Sequence, residues 1–331
     1  MNTLERSQLL SGHQIRGDKY FELTLEDFAR SFSTTVDDIP DDCQELIAKT
    51  DFRYRILEGE ERDKVILDVL AKIESDQQII GAPERQDAWQ RGWAENLQDF
   101  TKSGYDLNSL VPKFIRPNQV IRLNRNYIIP SNPNFELDYF SVFRLWLFKK
   151  YLKEFGSIYE FGCGTGFNLT VLAQLYPEKK LHGLDFVPSS VDLVNKIGEV
   201  YGWKMRGHLF DMLSPDENFE IGDNSAIFTI GTVEQLASNF EAFLQFLLKR
   251  SPGLCIHIEP TIELYDENNL IDYLAMKFHR KRGYTENFLT RLRELEAQNE
   301  IEIVKVKRTF FGSLYMEGYS YMIWRPKKAR R

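Results

Sequence analysis

Ser157-Ile158-Tyr159-Glu160-Phe161-Gly162-Cys163-Gly164-Thr165-Gly166 decides the fold of this chain. A short strand-like run meets three glycines at alternate positions, and Phe167 to Tyr176 continues as a helix. Strand, glycine turn, helix is the arrangement that lets a ligand approach backbone closely, because glycine removes the Cβ atoms that would block it. The helix start adds free N–H groups and a positive dipole end. Leu181-His182-Gly183-Leu184-Asp185 reads as a second strand ending in an acid. Asp185 lies about 20 residues past the glycines, the spacing expected of a carboxylate that binds a ribose diol.

Two nucleotide-binding folds compete for this pattern. A dinucleotide loop wants GxGxxG, whose third glycine packs helix against strand. Here the order is GxGxG, with Glu160 two residues ahead of it. That pattern closely resembles motif I of the class I S-adenosylmethionine (SAM)-dependent methyltransferases. Further segments carry the resemblance. Asp185-Phe186 is similar to the acidic second motif and Phe210-Asp211-Met212 to the adenine-contacting third. Ser225 to Ile230 resembles the fourth strand, with Gly231-Thr232-Val233-Glu234-Gln235 at its tip, and Leu254 to Pro260 resembles the fifth. Glu300 to Arg308 and Gly318 to Arg325, rich in Ile, Val, Tyr and Trp, resemble the antiparallel sixth and seventh strands. The match runs from about Ser157 to Pro326, and the chain as a whole resembles a bacterial methyltransferase of this superfamily.

The resemblance implies an α/β fold: a Rossmann-like seven-stranded mixed sheet with helices on both faces, plus a mainly helical N-terminal cap. It implies SAM as cofactor, S-adenosylhomocysteine as product and no metal. Glu160 would meet the methionine ammonium. Gly162, Cys163, Gly164 and Gly166 would give backbone contact, joined by Gly231 at the next strand tip. Asp185 would accept from the ribose hydroxyls, Phe186 would pack on adenine, Asp211 would accept from the adenine amine and Met212 would donate its N–H.

The acceptor side is sought at the carboxyl ends of the fourth and fifth strands, where open α/β sheets place ligands. Thr232, Glu234, Gln235, His257, Glu259 and Glu263 lie there. His257 and Glu259 share one face of a strand. His257 is a candidate base or a buried core histidine. Glu259 is the acid expected to orient the acceptor or take its proton, with Glu234 beside it as a third catalytic candidate. Glu263 and Asp266 are acceptor contacts or helix caps. In this superfamily the segment before motif I often forms a lid, which brings Tyr127 and Tyr139 into the acceptor pocket, with Arg122, Asn124 and Arg125 behind them. Leu264 to Asn299 reads as two helices broken near Gly283. Its run His279-Arg280-Lys281-Arg282 is either an anion site or the favourable cationic end of a helix.

The 331 residues divide at about 155 into an N-terminal cap or acceptor lid (1–155) and a SAM-binding core (156–331) with a helical insertion at about 264–299. Charge follows the same division. The chain carries 42 basic and 49 acidic residues, a net −7. Residues 1–110 alone hold 13 basic and 23 acidic residues, a net −10. Such an excess repels phosphate backbones, so nucleic acid is not an expected partner. Thr24 to Phe28 reads as a helix entrance, and helices are expected from Asp42, over Glu60–Ile73, over Ala88–Phe100, and after Pro133 with apolar residues at Leu137, Phe140, Phe143, Leu147 and Tyr151. Gly81-Ala82-Pro83 punctuates this region, and Lys327 to Arg331 reads as a solvated tail.

Cys43, Cys163 and Cys255 are isolated, without CxxC spacing, which fits a reducing cytoplasm rather than a disulfide or zinc framework. No apolar run reaches membrane-spanning length, and the first residues lack the pattern of a secretory signal. The expected activity is methyl transfer to oxygen or nitrogen on a small metabolite. A peptide or protein amine or guanidinium is the alternative acceptor, a non-catalytic SAM-binding subunit or scaffold the alternative role, and a homodimer an open assembly state.

Overall fold

The computed structural model describes residues 20–78, 80 and 83–327. The leader reading of the first residues, the Gly81-Ala82 turn and the tail beyond Lys327 lie outside them. The region before motif I holds helices α1 (Leu25–Phe32), α2 (Asp41–Lys49), α3 (Gly59–Ser75), α4 (Pro83–Lys102) and α5 (Phe135–Tyr151). Strands β1 (Tyr20–Glu22), β2 (Arg53–Ile56), β3 (Ile121–Leu123) and β4 (Asn126–Pro130) lie between them. The core alternates β5 (Ser157–Phe161), α6 (Phe167–Leu175), β6 (Lys180–Asp185), α7 (Pro188–Tyr201), β7 (Met205–Leu209), β8 (Ser225–Ile230), α8 (Glu241–Arg250) and β9 (Leu254–Ile258). Helices α9 (Leu270–Arg282) and α10 (Phe288–Ala297) follow, then β10 (Ile301–Lys307), β11 (Phe311–Gly312) and β12 (Tyr321–Pro326).

Seven strands form one sheet in the order β10-β12-β9-β8-β5-β6-β7. β5 pairs in parallel with both β6 and β8, and β12 runs antiparallel between β9 and β10. This is the mixed seven-stranded sheet expected from the sequence. The strand order reverses between β5 and β8, so their carboxyl ends splay apart and open the crevice where ligands bind in such sheets. The central strands are buried on both faces, which is why Ser225–Ile230 and Leu254–Ile258 read as continuous apolar runs rather than alternating ones.

Local chemistry accounts for the helix boundaries. Thr24 caps α1 in a reciprocal box with Asp27, 3.3 Å from the Asp27 N–H to Thr24 Oγ1 and 2.9 Å back. Gly283 ends α9 in the left-handed region, and the basic run 279–282 forms that helix's last turn. Arg282 there pairs with Asp76 at 2.8 Å, so the run serves as a helix end with an ion pair.

The N-terminal region differs from expectation in one respect. It is helical, but it also carries a five-stranded sheet in the order β1-β2-β4-β3-β11. Its last strand, β11, comes from the connection between the closing strands of the core and pairs Phe311 with Leu123. The two regions are therefore knit together rather than joined by a linker. Helix α5 lies between them and is buried nearly all round, from Phe135 through Trp146 to Phe148. Its aromatic contacts reach both ways: Tyr139 stacks on Phe311 at 3.6 Å, and Phe148 meets Phe228 of β8 at 5.4 Å.

Candidate active site

A cavity of about 400 Å³ opens at the carboxyl ends of β5, β6 and β8. Its floor is the segment after β5. Gly162 has φ +70°, and a Cβ there would lie 2.1 Å from the Thr232 methyl, so only glycine lets the β5 and β8 tips approach this closely. Gly164 has φ +52°, and a Cβ there would lie 3.1 Å from the Trp93 indole of α4. Asp185 fastens the loop, accepting from the Gly164 N–H and the Val187 N–H, each at 3.0 Å. These two bonds leave its carboxylate with further acceptor capacity at the cavity wall.

Glu160 supplies the second carboxylate. It is 1% exposed, and its Oε1 accepts from Asn168 Nδ2 at 2.7 Å. Its Oε2 is buried without a hydrogen-bond partner. Behind it lies Arg144, which donates to Asn168 Oδ1 at 2.9 Å and stacks 4.0 Å from the centre of the Phe167 ring. Burial pushes the Glu160 carboxyl up to about 8, although the Asn168 bond and the Arg144 charge pull it down. Burial likewise brings Arg144 down to about 9. An unpaired carboxylate oxygen facing a cavity is a position for a cationic group.

The end of the cavity near Phe186 and Asp211 is less enclosed. Phe186 is 38% exposed, and Asp211 accepts from the Leu213 N–H at 2.8 Å. Phe186, Asp211, Met212, Gly231 and Thr232 all line the same cavity as Glu160 and Asp185. Cys163 also lines it, buried, with its thiol held well above the ordinary value chiefly by burial.

The acceptor-side expectations fare differently. His257 does not line the cavity. It is fully buried in β9, bonded through Nδ1 to Thr229 Oγ1 at 2.9 Å and stacked on Trp324, and burial lowers it to about 3. A group that stays neutral down to that pH and does not reach the cavity is a core histidine rather than a base. Glu259 is corrected in the same way. Its carboxylate accepts from Thr229 Oγ1 at 2.7 Å and from the N–H groups of Thr232, Val233 and Glu234 at 3.1–3.2 Å, holding the turn after β8. Glu234 is engaged by Gln235 Nε2 at 2.7 Å and also lies outside the lining. Glu263 caps α10 at the Leu289 N–H, 3.0 Å away. Tyr127 packs with Leu57, Val69 and Ile271, and Tyr139 turns its hydroxyl to Ser31. Arg122 is buried against Asp272 at 3.3 Å, and Arg125 lies 3.4 Å from the same acid.

Aromatic residues form another part of the cavity wall. Trp89 and Trp93 of α4 stack at 5.4 Å and face the cavity with Phe114, Phe140, Phe167 and Tyr319. The Trp89 and Trp93 pair is one helical turn apart in the sequence, a spacing that marks one helix face but not what that face meets. Among the described residues no Lys, Arg or His lines the cavity.

No protein-family model matches the chain, and no curated protein matches it. Solved structures are similar to it at low identity. A geranyl diphosphate C-methyltransferase from Streptomyces coelicolor A3(2), solved with Mg2+, geranyl diphosphate and S-adenosyl-L-homocysteine, is 12% identical over 75% of this chain and 99% of that one, with TM-score 0.46. Magnesium protoporphyrin IX methyltransferase from Synechocystis PCC 6803 is 13% identical over 80% and 97%, TM-score 0.38. An O-methyltransferase of a Brevibacillus brevis trans-AT PKS multienzyme is 14% identical over 55% and 70%, TM-score 0.39.

Proposed function

We propose that this chain, built on the class I methyltransferase fold, is a SAM-dependent methyltransferase whose acceptor is a small, largely apolar metabolite methylated on oxygen or nitrogen. The observation that carries the reading is the unpaired Oε2 of Glu160 beside the glycine loop, in one cavity with the Asp185 carboxylate. The first suits the methionine ammonium and the second the ribose diol of the same molecule. Phe186 would pack on adenine, Asp211 would accept from its amine and Met212 would donate its N–H. SAM, when bound, supplies a methyl group on a sulfonium, which a nucleophile displaces in line. The protein's share is then to hold both partners, keep water out and take a proton where the acceptor carries one.

The walls support a small aromatic or apolar acceptor. Trp89, Trp93, Phe114, Phe140 and Phe167 offer ring faces, and no described cation is present to hold a phosphate or carboxylate. Against a peptide amine or guanidinium stands the placement of Glu234, Glu259 and Glu263. These acids would have held such a group, and all are committed to the turn after β8 or to a helix cap. Methylation of a panel of small aromatic alcohols and amines by methyl-tritiated SAM, alongside calorimetric binding of S-adenosylhomocysteine, tests the reading. Binding that Asp185→Ala abolishes, together with transfer, supports it. Binding without transfer to any acceptor favours the scaffold role, and absence of binding ends the proposal.

A further inference from the structure

Apart from the groups assigned above to the nucleoside and the amino acid, one cavity-lining tyrosine is backed by a buried carboxyl that lies outside the lining. Tyr319 lines the cavity, and its hydroxyl donates to Oε1 of Glu136 at 3.0 Å. Tyr319 precedes β12, while Glu136 sits in the first turn of α5, so the contact joins the cap to the core. Both side chains are buried, and the tyrosine ring is held by Phe140 and Phe311, with centres 5.2 and 5.5 Å away. The charged and titratable groups that act on the pair are Tyr139 and Arg144, both on α5. Tyr139 is turned to Ser31, and Arg144 is spent on Asn168 and the Phe167 carbonyl. Burial pushes the Glu136 carboxyl up to about 7. A carboxylate poised there suits a proton acceptor working near neutral pH.

Given the methyltransferase reading above, we propose that Tyr319, backed by Glu136, takes the proton from a phenolic acceptor during methyl transfer. The acceptor's O–H bond breaks and its proton passes to the Tyr319 oxygen as the Tyr319 proton passes to the Glu136 carboxylate. The acceptor oxygen bonds to the methyl carbon and displaces the sulfur with the electron pair of the C–S bond. An aryl methyl ether, a thioether and a protonated Glu136 result, and Glu136 returns its proton to solvent after product release. Tyr319 is the catalytic residue, and Glu136 acts through it by orienting the hydroxyl and accepting its proton. A phenol is the acceptor class that matches this pair. It carries its proton at neutral pH, with a pKa of about 10, and burial beside Glu136 holds the Tyr319 hydroxyl well above the ordinary tyrosine value, so Tyr319 keeps one proton throughout and relays the acceptor's to the carboxylate. Its ring also suits the aromatic walls around Phe140 and Trp93.

The test uses the full chain, methyl-tritiated SAM and a series of phenols of graded acidity, from about pH 5.5 to 9, with wild type, Glu136→Gln and Tyr319→Phe. Wild-type transfer to weakly acidic phenols rises through about pH 7 and levels off, as Glu136 ionises. With SAM saturating at every pH, so that the Glu160 ionisation does not enter the rate, both variants lose roughly a hundredfold or more and lose the pH dependence, and the double variant is no worse than either single one. The loss shrinks as the phenol becomes more acidic, because an acceptor that arrives ionised has no proton to give. S-adenosylhomocysteine binds both variants within about twofold of wild type by calorimetry, which separates chemistry from a damaged fold. Wild-type protein that binds S-adenosylhomocysteine but methylates no phenol overturns the proposal. So does a loss that is equal across the acidity series, or a pH profile that survives Glu136→Gln. Failure to bind S-adenosylhomocysteine is seen before any phenol is added, and brings down the underlying methyltransferase reading instead.

Discussion

On the proposed reading, the affinity for S-adenosylhomocysteine should depend on pH through one buried carboxyl. Glu160 is 1% exposed, and burial raises it to about 8. An ammonium placed against its free oxygen needs it ionised. At pH 7 only about one molecule in ten carries that charge, and ionising the rest costs about 1.4 kcal/mol. Affinity should therefore climb about tenfold per pH unit from 6 towards 8. At higher pH the ligand's own α-amino group gives up its proton, so the curve passes through a maximum. Titration calorimetry in two buffers of different ionisation heat reads both effects: at pH 7, about 0.9 proton is released on binding. Glu160→Gln flattens the acid limb and weakens binding at pH 8 by a charge-assisted hydrogen bond, roughly 1.5–3 kcal/mol. Affinity that is flat between pH 6 and 8, with no proton released, would refute the role given to Glu160.

Three further outcomes follow from the same side chains. Glu136, Glu160 and Glu259 all have folded-state pKa values raised by burial, so the stability they contribute is full below the ordinary carboxyl value and is lost as pH rises through about 7 to 8. Above pH 7.5, where the histidines that burial keeps neutral in the fold are neutral in the unfolded chain as well, thermal unfolding should show stability falling by about 1 kcal/mol up to pH 8.5, and a flat or rising melting temperature would contradict this. Glu259→Ala strips the partners from three N–H groups of the turn after β8 and should cost about 2–4 kcal/mol in denaturant melts, whereas a residue of purely catalytic importance would leave stability intact. Gly162→Ala drives a methyl into Thr232 at a left-handed φ and should cost about 1–3 kcal/mol along with most of the S-adenosylhomocysteine affinity; wild-type binding would show that the loop tolerates a side chain.

The core was legible in the sequence because its signals are local. Glu160, the glycines and Asp185 lie within one βαβ unit, and the apolar runs of β8 and β9 follow from burial on both faces. The alternation rule also put His257 and Glu259 on a common face, where both bond Thr229. It could not say that this face looks into the sheet's packing rather than into the cavity, since periodicity carries no information about which layer a face meets. The small sheet escaped for a different reason. Its strands are two to five residues long, and Phe311–Gly312 joins it from far along the chain. Trp89, Trp93 and the Glu136–Tyr319 pair were missed because their significance arises only when the cap folds over the strand tips. The acidic balance of residues 1–110 contributes no carboxylate to the described cavity wall, whose acids all come from the core.

A structure of the chain with S-adenosylhomocysteine is the most direct test of the central claim. The amino group is predicted within hydrogen-bond distance of Glu160 Oε2, the ribose hydroxyls at the Asp185 carboxylate, and the sulfur facing the aromatic wall that carries Phe140 and Tyr319. A ligand bound with its ribose away from Asp185, or with Glu160 left unpaired, would contradict it.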